Sequence, residues 1–161
     1  MPGPNRKQVL EWLHDVPDPE IPVLTIMDLG IVRDVQVRDD VVISLTPTYI
    51  GCPATEVIEQ SVLEAVQSHG VENVSIKRVL SPAWTTDWIS DAGRAKLRDY
   101  GIAPPEKGAS KRALLRGERG IACPRCGSVA TRLVSEFGST ACKAAYKCGD
   151  CLEPFEHFKC I

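Results

Sequence analysis

The sequence predicts an α+β chain: a small three-stranded sheet with helices, followed by a ribbon-like β domain that four cysteines close around a metal. Three observations carry this. Ile31 to Arg38 and Val41 to Thr46 are rich in β-branched residues and alternate at Val35/Val37 and Val41/Ile43/Leu45. Val57, Ile58, Ser61, Val62, Ala65 and Val66 recur at helical spacing. Cys123-Pro-Arg-Cys126 and Cys148-Gly-Asp-Cys151 are two C-x-x-C pairs.

In chain order, Val9, Leu10, Leu13 and Val16 predict a first helix of about three turns, which Pro17-Asp-Pro-Glu20 stops because proline removes a donor and restricts its predecessor. Asp39-Asp40 is a tight turn between two strands. The helix after Cys52-Pro53 ends near Gly70, and a third strand runs from Asn73 to Leu80. Ser81-Pro-Ala-Trp84 breaks that strand, and Ile89 to Tyr100 forms a short charged helix that Gly101 closes. Trp84 and Trp88 fit either a partner-facing surface or the core.

Residues 1–102 are thus expected to form the first domain, 103–120 a linker and 121–161 the metal-binding domain. The linker region combines prolines and glycines with lysines and arginines, although Ala113-Leu-Leu115 could make a turn of helix. Thr131 to Ser135 and Ala144 to Lys147 are the strands expected between the cysteine pairs.

Composition limits what such a chain does. Of its 161 residues, 43% are hydrophobic and 25% charged, which suits a globular protein and not a disordered one. The N-terminal region is too short and too charged for a signal peptide or a membrane span, so a cytoplasmic location is expected. Six of the seven cysteines follow residue 120, a local cluster that in a reducing compartment favours metal over disulfides. Residues 1–105 carry nine Lys+Arg against fifteen Asp+Glu, and residues 106–161 carry ten against six. An acidic body is joined to a basic tail.

A tetrahedral metal needs four thiolates from two knuckles, and Gly127 and Gly149 suit the tight turns there. One structural zinc per chain, held by Cys123, Cys126, Cys148 and Cys151, is the expectation; iron or an iron-sulfur cluster would accept the same ligands. Cys142 and Cys160 are left over, with His157 close to the second, and each could replace a named ligand.

Cys52 stands apart from the tail cysteines. Pro53 suits the first helical position, with Cys52 at the N-cap, so the positive helix end would favour the thiolate that binds soft metals or attacks electrophiles. The alternative is a buried cap cysteine. Asp18, Glu20 and Asp28 cluster in one loop, where acids cap local helix ends, hold a hard cation or move protons. No histidine accompanies Cys52 as a base, which argues against a thiol enzyme. A nucleic-acid-binding or protein-interaction ribbon is a further reading; the small basic excess and the acidic body argue against nucleic acid.

Asp18-Pro-Glu-Ile-Pro with Asp28-Leu-Gly-Ile-Val, Leu45-Thr-Pro-Thr-Tyr-Ile-Gly-Cys-Pro53, and Ser81-Pro-Ala-Trp-Thr-Thr-Asp-Trp-Ile-Ser90 together resemble the SufT-type iron-sulfur assembly domains over about residues 5–102. The tail, with Phe137-Gly-Ser-Thr-Ala-Cys142 and Cys151-Leu-Glu-Pro-Phe-Glu-His-Phe-Lys-Cys160, narrows the resemblance to the PaaD (PaaJ) family. That resemblance implies an accessory subunit of the phenylacetyl-CoA epoxidase of aerobic phenylacetate degradation. It implies maturation of iron-sulfur or di-iron centres on the oxygenase or reductase subunits, with no membrane or nucleic-acid partner. Cys52 would then hold iron or cluster transiently, beside Asp18, Glu20 and Asp28, and the ribbon would be a docking module. The chain itself lacks paired Glu-x-x-His helices and a flavin or nicotinamide fingerprint, so it is expected not to be an enzyme.

Overall fold

The computed structural model describes residues 3–49, 51–107 and 120–159. The chain divides into two compact units, Met1–Trp84 and Thr85–Ile161.

The first unit opens with helix α1 (Arg6–Leu13), started by a capping box in which the Asn5 side chain accepts from the Gln8 amide and Gln8 answers to the Asn5 amide. The helix has eight residues, shorter than the three turns expected, because Val16 leaves it to enter the core and its carbonyl accepts from the Ile26 amide. The loop that follows buries Ile21, Leu24, Ile26, Leu29 and Ile31 almost completely, so this irregular segment forms much of the core. Strands β1 (Val32–Val37) and β2 (Val41–Leu45) make the expected antiparallel hairpin. Helix α2 (Ala54–Gln67) then crosses over to β3 (Val74–Arg78), which lies parallel to β2, giving the sheet order β1-β2-β3. Helix α2 buries Ala54, Ile58, Val62 and Val66, whereas Val57, expected in the same stripe, is exposed. Because α1 packs on α2 and β1 while α2 packs on β3, both helices cover one face of the sheet.

Trp84 closes the unit from inside. It is buried, and its indole Nε1 donates to the Leu29 carbonyl at 2.7 Å, so it is a core residue.

The second unit begins with a short 3-10 turn (Thr86–Trp88) and helix α3 (Asp91–Tyr100), capped by Ser90 and ended by Gly101 in the left-handed conformation. Strands β4 (Ile102–Ala103), β5 (Thr131–Ser135), β6 (Lys143–Cys148) and β7 (Pro154–Phe158) form one sheet of order β4-β7-β6-β5. Strand β4 runs parallel to β7; the other neighbours are antiparallel. This corrects the expected boundary at residue 102. Ile102 and Ala103 are buried and paired in the ribbon sheet, and Ala103 belongs to the core that includes the metal-ligand cysteines, so the division falls after Trp84. Residues 108–119 of the expected linker, including Ala113-Leu-Leu115, lie outside the described residues.

Candidate metal centre

The sheet of the second unit brings two knuckles together. In the first, the Cys123 amide donates to the Ser128 carbonyl at 2.8 Å and the Gly127 amide donates to the Cys123 carbonyl at 2.9 Å. Gly127 has φ +75°, a turn that needs no Cβ. In the second, the Cys148 amide donates to the Glu153 carbonyl at 3.0 Å, and Gly149 lies so close to the Ala130 carbonyl that a Cβ would sit 2.9 Å from that oxygen. Both glycines serve the knuckles, by different means.

The four sulfurs converge. Cys123 Sγ lies 3.7 Å from Cys151 Sγ, Cys126 Sγ lies 3.6 Å from Cys148 Sγ, and all four fall within 4.8 Å of one another. Sulfurs about 2.3 Å from a tetrahedral metal are separated by roughly 3.8 Å, so this donor set fits zinc or iron. A disulfide needs about 2.05 Å and is excluded by the same distances. Each short pair joins one knuckle to the other, so a single ion would tie both. Cys123 and Cys148 are buried in the core with Ile121 and Phe155, while Cys126 and Cys151 are exposed.

Electrostatics order the thiols. The Cys151 amide, then the Asp150 amide, stabilise the Cys148 thiolate and draw its pKa down to about 7. The Glu153 amide favours a Cys151 thiolate, but burial and the three neighbouring sulfurs outweigh it and push Cys151 up to about 12. Thiolates held this close repel one another, and a dication bound there would supply the charge that lets all four converge. A metal held by all four cysteines would have no position left for exchangeable water, the arrangement of a structural site.

Two features of the knuckles escape sequence reasoning. The Ser128 hydroxyl donates to the Asp150 carboxylate, linking the knuckles outside the sulfurs; a hydroxyl and an acid next to cysteines are the only sequence signal. Leu152, directly after the second pair, has φ +65°, which no composition cue announces.

The other candidate ligands sit elsewhere. Cys142 is buried with its sulfur 3.0 Å from the Thr140 hydroxyl, outside the ligand group. His157 is buried with Nδ1 3.0 Å from the Ala103 carbonyl, a structural contact within the sheet. Cys160 lies outside the described residues. Among the described residues, the four ribbon cysteines are the group of potential ligands that converges; Cys52, Asp18, Glu20 and Asp28 do not form one.

Cys52 is half-buried in the turn before α2, and its carbonyl accepts from the Thr55 amide at 3.1 Å. The N-cap is Pro53, one residue later than expected, and no side chain caps this helix end. Asp18 and Asp28 are buried caps of their own loop. Asp18 accepts from the Glu20 and Ile21 amides at 2.9 and 2.7 Å, and Asp28 accepts from the Thr25 amide at 3.0 Å. Glu20 is half-buried in the same loop.

Known proteins divide the chain along similar lines. Residues 6–76 match the iron-sulfur cluster assembly protein family, and residues 107–159 match the PaaD zinc β-ribbon domain. Solved structures resemble it over part of its length: a domain of unknown function from Bacillus anthracis (28% identity, TM-score 0.54, 57% of this chain and 90% of that one) and a conserved hypothetical protein of Thermotoga maritima (32% identity, TM-score 0.51, 58% and 94%). Among the described residues no helix is long and apolar enough to cross a membrane. A protein of Escherichia coli (strain K12), provisionally named as one of the subunits of 1,2-phenylacetyl-CoA epoxidase, is 53% identical over 98% of this chain and 94% of its own length. An identity of that size from end to end, over both the assembly-type unit and the four-cysteine ribbon, means that this chain belongs to the PaaD family.

Proposed function

We propose that this chain is a non-catalytic accessory subunit of phenylacetyl-CoA epoxidase, acting in the cytoplasm in aerobic phenylacetate degradation. It delivers or repairs the iron-sulfur or di-iron centre of an oxygenase or reductase subunit. In this reading Cys52 is the cargo ligand, and the ribbon, with one structural zinc, docks on the client.

The supporting observation is the contrast between two sets of thiols. Four converge into a closed site, whereas Cys52 stands half-buried in a turn of the unit that matches the iron-sulfur cluster assembly family. One thiolate cannot hold a cluster by itself, so the remaining ligands come from the client, which suits a donor that must let its cargo go. Asp18 and Asp28 fix the loop as caps, and with Glu20 they are the acids that in this reading assist Cys52 in handling iron.

The test is anaerobic incubation with ferrous iron and sulfide, followed by addition of the apo oxygenase or reductase subunit. Wild type is expected to gain visible absorption bands that pass to the client. Cys52→Ala is expected to keep its zinc and lose that uptake. Equal uptake and transfer by the variant would remove Cys52 from the role, and no transfer by wild type would overturn the maturation reading.

A further inference from the structure

Arg94 on α3 is only 8% exposed. Its Nη2 donates to the Thr86 carbonyl at 2.7 Å and its Nη1 to the Pro105 carbonyl, while Nε is buried with no hydrogen-bond partner. The nearest acid on the helix, Asp91, feels this charge but is held by Lys107 at 2.7 Å. Among the described residues no carboxylate is in hydrogen-bond contact with this buried guanidinium, so its carbonyl partners leave a net positive charge at this place in the fold.

A cleft of about 390 Å³ opens beside it, lined by Arg94, Arg98 and Lys107 against a single acid, Glu106. The apolar part of the lining includes Pro105, Ile121 and Pro124, next to the metal ligand Cys123. Arg98, one turn beyond Arg94, is exposed and makes no ion pair among the described residues.

We propose that this cleft receives an aspartate or glutamate side chain of an epoxidase subunit, and so is the docking point of the ribbon; the proposal rests on the accessory-subunit reading above. Two donors of Arg94 are committed to carbonyls, which leaves the planar fork of Arg98 as the open donor set, with the Lys107 ammonium, shared with Asp91, beside it. One fork with one ammonium matches a carboxylate, whereas a phosphate draws on more converging donors. An apolar residue flanking the acid would rest on Pro105, Ile121 and Pro124, which couples charge to shape.

The test uses the isotope-labelled, zinc-loaded full chain, titrated with a capped tetraglutamate peptide and, separately, with tetraglutamine and with coenzyme A, while the Arg98, Ile121 and Ala122 signals are followed by NMR. Tetraglutamate is expected to shift these signals saturably, tetraglutamine not at all, and coenzyme A more weakly. Arg98→Glu, an exposed change that keeps the zinc content, is expected to weaken tetraglutamate binding by at least about tenfold. No shift with tetraglutamate overturns the proposal, as does tighter binding of coenzyme A, which makes the cleft a phosphate site. Capture of co-expressed oxygenase and reductase subunits separates this idea from the reading beneath it. Capture by wild type that Arg98→Glu abolishes supports the docking point, and equal capture by both overturns it while leaving the subunit reading intact. Failure of wild type to capture either subunit overturns both.

Discussion

Gly127 and Leu152 hold the same place in the two cysteine knuckles, directly after the second cysteine of each pair, and both have left-handed backbones, φ +75° and +65°. Glycine adopts this conformation freely, whereas a leucine Cβ costs about 1–2 kcal/mol there. Leu152 is 65% exposed, so its side chain returns little in burial. Leu152→Gly is therefore expected to leave the second unit as stable as wild type, or more stable by up to about 1 kcal/mol. Gly127→Leu is expected to cost about 1–2 kcal/mol. Chemical denaturation of the zinc-loaded variants reads the difference.

His157 predicts a pH dependence. Burial lowers its pKa to about 4, against the pull of the Ala103 carbonyl, which favours the charged form. The unfolded chain binds a proton near pH 6.5 and the folded one only near 4, so stability is complete above about 6.5 and falls as pH drops between those values. The loss is up to about 3 kcal/mol. Metal release also occurs in acid, so the comparison is with His157→Gln. This variant is expected to be less stable at neutral pH, with a flatter stability curve from pH 6.5 to 4 in thermal unfolding. Parallel curves would show that His157 does not titrate as described.

Removing the metal should unfold the ribbon. Its core shares Cys123 and Cys148 with the metal centre, and a structural zinc contributes on the order of 10 kcal/mol, more than a domain this small supplies from packing. A strong chelator, or Cys148→Ala, is expected to collapse the amide dispersion of residues 120–159 in NMR spectra while the signals of β1, β2 and β3 persist.

Trp84 tests the first unit. Trp84→Phe removes the donor to the buried Leu29 carbonyl and is expected to cost about 1–2 kcal/mol. Trp84→Ala adds a cavity and is expected to cost about 3–5 kcal/mol in urea unfolding.

Much of this architecture is legible in the sequence because local periodicity carries it. Val35, Val41, Ile43 and Leu45 alternate into the core, Ile58, Val62 and Val66 follow the helical period, and the C-x-x-C spacing names all four converging thiols. What is not legible depends on distant partners. Strand β4 has two residues, and the contact of Ala103 with His157 spans 54 positions, so no local pattern places Ile102 and Ala103 in the ribbon. Strand β7 opens on Pro154, tolerated there because a first strand residue need not donate, yet proline reads as a break. Val16 and the loop after it satisfy the core without a regular period, which shortens α1. The acids of that loop look like ligands in sequence, and the backbone amides they cap become visible only once the loop is folded.

Supply of metal to the epoxidase through Cys52 is read out by the iron and sulfide content of the oxygenase and reductase subunits. These are purified without oxygen from cells that make wild type, Cys52→Ala or no copy of this chain. Full occupancy is expected with wild type, and a deficit with Cys52→Ala equal to that seen without the chain, although the variant retains its zinc. Full occupancy in all three preparations would contradict it.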